Sequence, residues 1–465
     1  MIPAYILTFA VLMSACVTGG KRLAELELAA TNPIELEKLC AEGLTGACAL
    51  QGKSVVLDKE LSIMQGVSSA TQSRFAVIAP KKEKLIYYAR TAKTLKKLDS
   101  ERIERKFSPN VVDQVEAFGL DVRETYELIA INAHGMLSDR RQFRPLDTSK
   151  KRPKIIVISC MDDKLKVEQA LMWKQLLSEQ PDVILMIGDN VYADRKASGW
   201  APATAEQLWD RYIDTRMTLD FFKSPVLYPV FATWDDHDFG RNDSDRTYAL
   251  KDESARVFHT FFPQARPAPG FERGPGVASK WTAYGLQFLL LDDRTFRSPN
   301  RVDLPDQTHF GIEQENWIAA ELAAAKGPVA LVNGNQFFGG YHSFESFEGS
   351  HPKNFATQLA RWKKAKIPML FISGDRHLSE IIQVPKQAVG QATFELTSSP
   401  LHAKVFPDAF SRHPSPNQLV GVAGQYNYMA VEPLKVSGKS LQLKVRSMGQ
   451  GKRTFFEKNL TVKGR

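Results

Sequence analysis

Long apolar runs, basic blocks and internal repeats are all missing from this 465-residue chain, and each absence narrows what it can be. The apolar, uncharged opening stretch, residues 1–17, falls short of the roughly 20 residues that a membrane-crossing helix needs. Lys and Arg outnumber Asp and Glu by 61 to 52, yet they are spread along the chain and form no dense basic arm, so no nucleic-acid-binding module is expected. A diffuse positive field suits an anionic substrate or surface. With 43% hydrophobic and 24% charged residues, the composition is that of a globular chain, and the length requires two or three domains.

Cysteine is scarce as well, with only four. The opening stretch reads as a secretory signal, and Met13-Ser14-Ala15-Cys16 resembles a bacterial lipoprotein box, in which lipid joins the Cys and cleavage makes it the first residue. That resemblance implies a signal peptide over 1–15 and an acylated Cys16 that anchors the protein to a membrane, facing the periplasm. In such an oxidising compartment Cys40 and Cys48, which flank the Gly-containing turn "AEGLTGA", are expected to bridge and close a short helical hairpin within 16–59. Cys160 is left over.

Residues 32–52 read as helical, with Asn32 as the start signal. Short β-rich runs then follow from 60 to 147, among them "SRFAVIAP", "EKLIYYAR" and "TYELIAINAHG", as in a small sandwich. Leu120, six residues before Tyr126, resembles the tyrosine corner of fibronectin type III-like sandwiches. The charged stretch "TAKTLKKLDSERIERKFSPN" reads as an interruption. From 148 to 465 the pattern is α/β: buried strands such as "KIIVISC", "DVILMIGD", "YGLQFLLLD" and "PMLFISGD" alternate with helical stretches such as "KVEQALMWKQLLSEQ". The Pro- and Gly-rich "PQARPAPGFERGPG" reads as a surface loop, a candidate lid.

Several of these strands end on residues that bind metal or phosphate. They deliver Cys160; Asp189 and Tyr192; Asp235, Asp236, His237 and Asp238; Asp292, Arg294 and Arg297; and Asp375 and His377. One Gly-Asp after a strand is most often a turn, but successive strand ends carrying ligand types form a constellation. The ordered set "SC" (159–160), "GDNVY" (188–192), "WDDHD" (234–238), "LDDR" (291–294), "SGDRH" (373–377), "ELTSSP" (395–400) and "NY" (427–428) resembles the metallophosphoesterases, specifically the PhoD-like alkaline phosphatases and phosphodiesterases. The resemblance implies a four-layer αββα catalytic domain behind the sandwich, holding two or more metal ions.

By motif order, Cys160, Asp189, Tyr192 and His377 are assigned to one metal, and Asp189, Asp236, Asp375 and Asn335 to a second, with Asp189 bridging. Thiolate, phenolate and imidazole suit an iron-like ion, and carboxylates suit a hard cation; the family resemblance implies Fe³⁺ and Ca²⁺. Two such ions clamp a phosphoryl group and make hydroxide available near neutral pH. His237 is the candidate proton donor to the leaving oxygen, and Arg294, Arg241 and Arg297 are candidate phosphate ligands. Arg376 lies between two ligands and is expected to point away; Asp162 and Asp163 read as turn or cap residues. The expected function is hydrolysis of phosphate mono- or diesters. The alternatives are a phospholipase D-like diesterase acting on lipids or wall polymers, or a binding lipoprotein that keeps the fold without turnover. Oligomeric state is not legible.

Overall fold

The computed structural model describes residues 20–57, 61–196, 199–200, 204–300 and 306–465; the signal segment and Cys16 lie outside the described residues. Among the described residues no helix is long and apolar enough to cross a membrane. The chain divides into two units: residues up to Gln65 with Ala70–Pro145 and Phe222–Leu227, and Gly66–Ser69 with Leu146–Phe221 and Tyr228–Arg465.

The first unit opens with helices α1 (residues 20–29), α2 (Pro33–Ala41) and α3 (Thr45–Leu50). Asn32 starts α2 by accepting the Ile34 N–H at 3.1 Å, which satisfies one of the donors a helix start leaves open. Cys40 and Cys48 are joined as a disulfide across the turn, and the helices bury Leu26, Leu36, Leu39 and Leu50 against Tyr88, Ile129 and Ile131.

Seven strands follow: β1 (Ser62–Ser68), β2 (Gln72–Pro80), β3 (Leu85–Arg90), β4 (Leu95–Ile103), β5 (Asn110–Phe118), β6 (Tyr126–Asn132) and β7 (Leu137–Phe143), in spatial order β1-β2-β5-β4-β3-β6-β7. In a flat sheet β2 and β7 would lie about 24 Å apart. Yet Phe75 on β2 meets Phe143 on β7 edge to face at 4.9 Å, so the sheet folds back on itself around Phe75, Val77, Tyr87, Val115 and Leu128. The supposed interruption contains the strand that makes this possible. β4 pairs with β5 on one side and β3 on the other, and being mostly exposed it carries no apolar alternation to read. Tyr126 closes the corner, its hydroxyl accepting the Asp121 N–H at 2.9 Å.

The second unit is built on two sheets. One runs β12-β9-β8-β21-β22-β23 and uses β8 (Ile155–Ile158), β9 (Val183–Ile187), β12 (Val230–Thr233), β21 (Tyr428–Ser437), β22 (Ser440–Met448) and β23 (Thr454–Lys463); a small ribbon, β10 (Arg195–Lys196) with β11 (Gly199–Trp200), stands apart. The other runs β13-β14-β15-β16-β17-β19-β18-β20, with β13 (Phe271–Arg273), β14 (Ser279–Ala283), β15 (Leu286–Leu290), β16 (Val329–Val332), β17 (Met369–Ser373), β18 (Leu378–Val384), β19 (Thr393–Ser398) and β20 (Gln418–Ala423).

Alternate residues divide between the faces, as the two-residue strand period dictates. Val157, Leu185 and Ile187 of one sheet and Phe288, Leu290, Val332 and Ile372 of the other share one core. Leu289, Leu331 and Phe371 face outward onto α8 (Ile312–Ala324) and α10 (Pro352–Trp362) through Ile318, Leu322, Phe355 and Trp362. On the far side α4 (Lys166–Ser178) is fastened to the first sheet by Gln175 Nε2 donating to the Tyr428 hydroxyl at 3.5 Å, giving helix, sheet, sheet and helix in four layers. The stretch read as a lid is part of this body instead: Phe271 is buried in the shared core, and Gln264 both donates to and accepts from the Ala232 backbone. Asp163 is no cap either. It binds Arg211 at 2.7 Å and the Thr215 hydroxyl at 2.8 Å, both on α5 (Ala205–Thr218).

The Tyr126 hydroxyl is a separable contribution, because its ring also stacks on Phe143 at 5.3 Å. Tyr126→Phe keeps the stack and loses the bond, and should destabilise the first unit by about 1 kcal/mol in urea unfolding; an unchanged midpoint would remove the corner from the account.

Candidate metal centre and active site

Parallel pairing of β8 with β9 and of β9 with β12 aims three strand ends the same way, the usual ligand edge of such sheets. The chain then bends sharply. Cys160, Asp189, Asp375 and His377 take φ of 58°, 51°, 61° and 51°, a left-handed conformation uncommon for residues other than glycine. The bends are held by the Cys160 N–H donating to Gly188 O at 3.1 Å and the Met161 N–H donating to Asp189 O at 2.9 Å. Gly188 has no substitute here: at φ 113° any Cβ would stand 2.7 Å from Asp235 Cβ.

The bends gather two overlapping ligand sets. Cys160, Asp189 and His377 present ligand atoms all within 4.8 Å of one another, and so do Asp189, Asp236 and His237. Asp189 belongs to both. Cys160 Sγ lies 3.5 Å from Asp189 Oδ2, and Tyr192 packs on Cys160. The His377 Nδ1 is committed to the Lys404 carbonyl, which leaves Nε2 to ligate, and burial drops its pKa to about 4, so the ring is neutral. Asp236 sits at the start of the short α6 (Asp236–Phe239), accepting the His237 and Asp243 N–H groups at 2.8 Å each.

Burial and the charges of Asp236, Asp238 and Asp375 push the Asp189 carboxyl well above its usual range, and burial with the Asp189 and Asp375 charges does the same to the Cys160 thiol. Burial also pushes Asp236 up, but His237, Arg294 and the Asp243 N–H outweigh it and hold this carboxyl below the usual range. Asp189 Oδ1 is buried without a hydrogen-bond partner. Such a pocket of thiol, imidazole and crowded carboxylates fits cations, which would deprotonate the thiol and satisfy the orphaned oxygen.

His237 is aimed by a residue the sequence reading passed over. Its Nδ1 bonds Asp194 Oδ1 at 2.8 Å, while Asp194 Oδ2 accepts the Asn242 N–H at 3.0 Å. Burial works against its charge, but Asp236 and Asp194 raise its pKa to about 9. Asp194 follows "GDNVY" by two residues, so its position five residues after Asp189 was the available signal.

Three expectations need correcting. Arg294 is fully buried and consumed by the protein: Nε donates to Asp235 Oδ1 at 2.7 Å, one amino group to Glu345 Oε2 at 2.7 Å and the other to Ser244 O at 3.2 Å. Arg297 is likewise buried, 2.9 Å from Glu345 Oε1 and 3.1 Å from Asn300 Oδ1. Arg294 spends its donors on the protein, whereas Arg297 keeps a buried Nη1 without a hydrogen-bond partner; Arg241, by contrast, is exposed beside the Asn242–Asp243 turn. Asn335 turns to Asn333 Nδ2 at 3.0 Å and gives its N–H to Asp293 at 3.1 Å. The places beside Asp236 belong to Asp243 and Glu345, and Glu345 sits in a loop with no strand before it to flag it. The Asp375 carboxyl joins none of the three compact sets among the described residues, although burial and the Asp236 charge push it up to about 7 and its carbonyl stands 3.9 Å from Cys160 Sγ.

The remaining motif residues brace this centre. Ser399 Oγ donates to Cys160 Sγ at 3.1 Å and accepts the His377 N–H at 3.0 Å; Asn427 Nδ2 holds the Ser399 carbonyl at 2.6 Å. Trp234 and Tyr428 are fully buried packing residues.

Two face-packed sheets between helices, with overlapping candidate ligand sets at their strand ends, define an α/β domain with a candidate metal centre. The family model for PhoD-like phosphatase matches residues 155–433, over half of the chain, and the chain belongs to that family. It is a hydrolase acting on phosphoester bonds. A solved structure, "Structure of PhoD", superposes with a TM-score of 0.64 over 88% of this chain and 90% of that one, at 14% identity, a likeness of fold. The type III pullulan hydrolase from Thermococcus kodakarensis, at a TM-score of 0.16 and 9% identity over 67% of this chain and 60% of its own, is not alike in fold. No curated protein matches.

If Arg294 is a counter-ion and not a phosphate ligand, Arg294→Met leaves Asp235 and Glu345 buried without it. The variant should lose about 3–5 kcal/mol in denaturant unfolding; a variant of native stability with only a raised KM would restore the substrate role.

Proposed function

We propose that this enzyme hydrolyses phosphate mono- or diesters at a two-cation centre, exported from the cytoplasm and tethered by an acylated Cys16 facing the periplasm. The observation that carries the reaction is the sharing of Asp189 by two ligand sets. Cys160, Tyr192 and His377 with Asp189 suit Fe³⁺; Asp236 with Asp189 suits a harder ion such as Ca²⁺. When bound, such ions supply Lewis-acid polarisation of the phosphoryl oxygens and a nucleophilic hydroxide near neutral pH.

The chain's own groups do the rest. His237, kept protonated by its carboxylate neighbours and so without a lone pair for a cation, stands beside Asp189 and Asp236 and gives its Nε2 proton to the leaving oxygen, while Asp194 fixes the ring through Nδ1. Arg241, exposed at the rim, is placed to draw in the anion.

Purified protein assayed on chromogenic mono- and diesters, with metal analysis, tests the reading. Turnover by metal-loaded protein, its loss with a chelator, and a fall of at least about tenfold for Cys160→Ala with loss of one metal are expected; inert protein with its full metal content would sink the enzyme. Mass spectrometry of the mature N-terminus tests the anchor, which requires a lipid-modified Cys16. For Asp194→Asn, kcat should fall about ten- to a hundredfold with metals retained; an unchanged kcat would remove His237 as the proton donor.

A further inference from the structure

Arg376 was expected to point away from the centre, and it does not behave as a surface residue. It is 8% exposed in the turn between β17 and β18, flanked by Asp375 and His377.

Every other buried arginine argued above has a carboxylate. Arg376 has none. Its Nε is sealed from solvent without a hydrogen-bond partner, and among the described residues no acceptor bonds its guanidinium and no carboxylate is ion-paired with it. What holds it is a ring: the guanidinium carbon lies 4.7 Å from the Phe344 centroid. Phe344 is itself half exposed and is braced edge-on by His413 at 5.2 Å. A ring face offsets only part of the cost of burying a guanidinium, and its donors are left open to an outside acceptor. Phe344 also precedes Glu345, the partner of Asp236 and Asp243, so the stacked pair borders the ligand cluster.

We propose that Arg376, held flat by Phe344, is the residue that binds the non-bridging phosphoryl oxygens of the substrate, a part that Arg294, spent on Asp235, Glu345 and Ser244, cannot play. A planar fork locked against an aromatic face is pre-organised for two oxygens in a way a lysine is not. The inference rests on the phosphoesterase reading, since it names the anion as a phosphoryl group.

The test uses the full metal-loaded chain and inorganic phosphate, read as competitive inhibition of diester hydrolysis and, independently of turnover, by calorimetry. Arg376→Met should weaken phosphate and raise KM by about ten- to a hundredfold, the loss expected for a charge-assisted bond, with metal content unchanged. Arg376→Lys, which keeps the charge and guards against a folding failure in the Met variant, should also weaken phosphate by about tenfold. Phe344→Leu should weaken it by about two- to fivefold. Phosphate binding at the wild-type level in folded Arg376→Met, or in Arg376→Lys should the Met variant not fold, overturns the proposal and leaves the enzyme standing. Conversely, calorimetric binding that depends on Arg376 in a protein without turnover supports the anion site and rejects the phosphoesterase reading.

Discussion

Repulsion among buried acids is the constraint on which the second unit depends. Asp189 has Asp236, Asp238 and Asp375 as charged neighbours in a dry pocket, and like charges there cannot all ionise unless opposite charge is supplied. The protein supplies some. Arg294 lies on Asp235, and the Val191 and Asp235 N–H groups donate to Asp238 at 3.0 and 3.1 Å. The remainder, an oxygen of Asp189 and the Cys160 thiol, is the deficit that bound cations would fill. The ion pairs beneath the pocket and the ligand sets within it are thus two answers to one electrostatic problem.

Backbone geometry creates the problem deliberately. Left-handed bends at Cys160 and Asp189 end the neighbouring strands β8 and β9, and the glycine at 188 leaves room for the Asp235 segment beside them. Such bends are unfavourable taken singly and persist only where the surroundings over-determine them, as the paired N–H bonds to Gly188 and Asp189 carbonyls do here.

This explains which parts were legible in the sequence. A buried parallel strand is a short apolar run, and the residue at its end is necessarily near the ends of its neighbours, so Cys160, Asp189, Asp236 and His377 could be gathered from order alone. Charge pairing could not. "LDDR" reads the same whether its arginine meets substrate or a carboxylate, and the deciding partner of Arg294, Glu345, lies 51 residues onward in a loop. Likewise β4 escaped notice because a mostly exposed strand has no apolar face to show, and the proline-rich segment looked like a lid because breakers mark turns without saying what lies on either side of them. That Phe271 is buried depends on the opposite sheet, which no local pattern reports.

The motif residues that carry no chemistry then acquire a reason. Ser399 has one proton and a lone pair to accept with, and it gives the proton to Cys160 Sγ while accepting the His377 N–H. A single hydroxyl therefore ties the first strand end to the last, across 239 residues of chain. Donation to sulfur favours the thiolate form, and the bond from His377 fixes the backbone of a residue that shares the compact set with Cys160. Asn427 in turn pins the Ser399 carbonyl. The spacing of Cys160 and His377 is thus braced by neutral hydrogen-bonding groups, Ser399 and Asn427, that bring no further charge to the crowded acids.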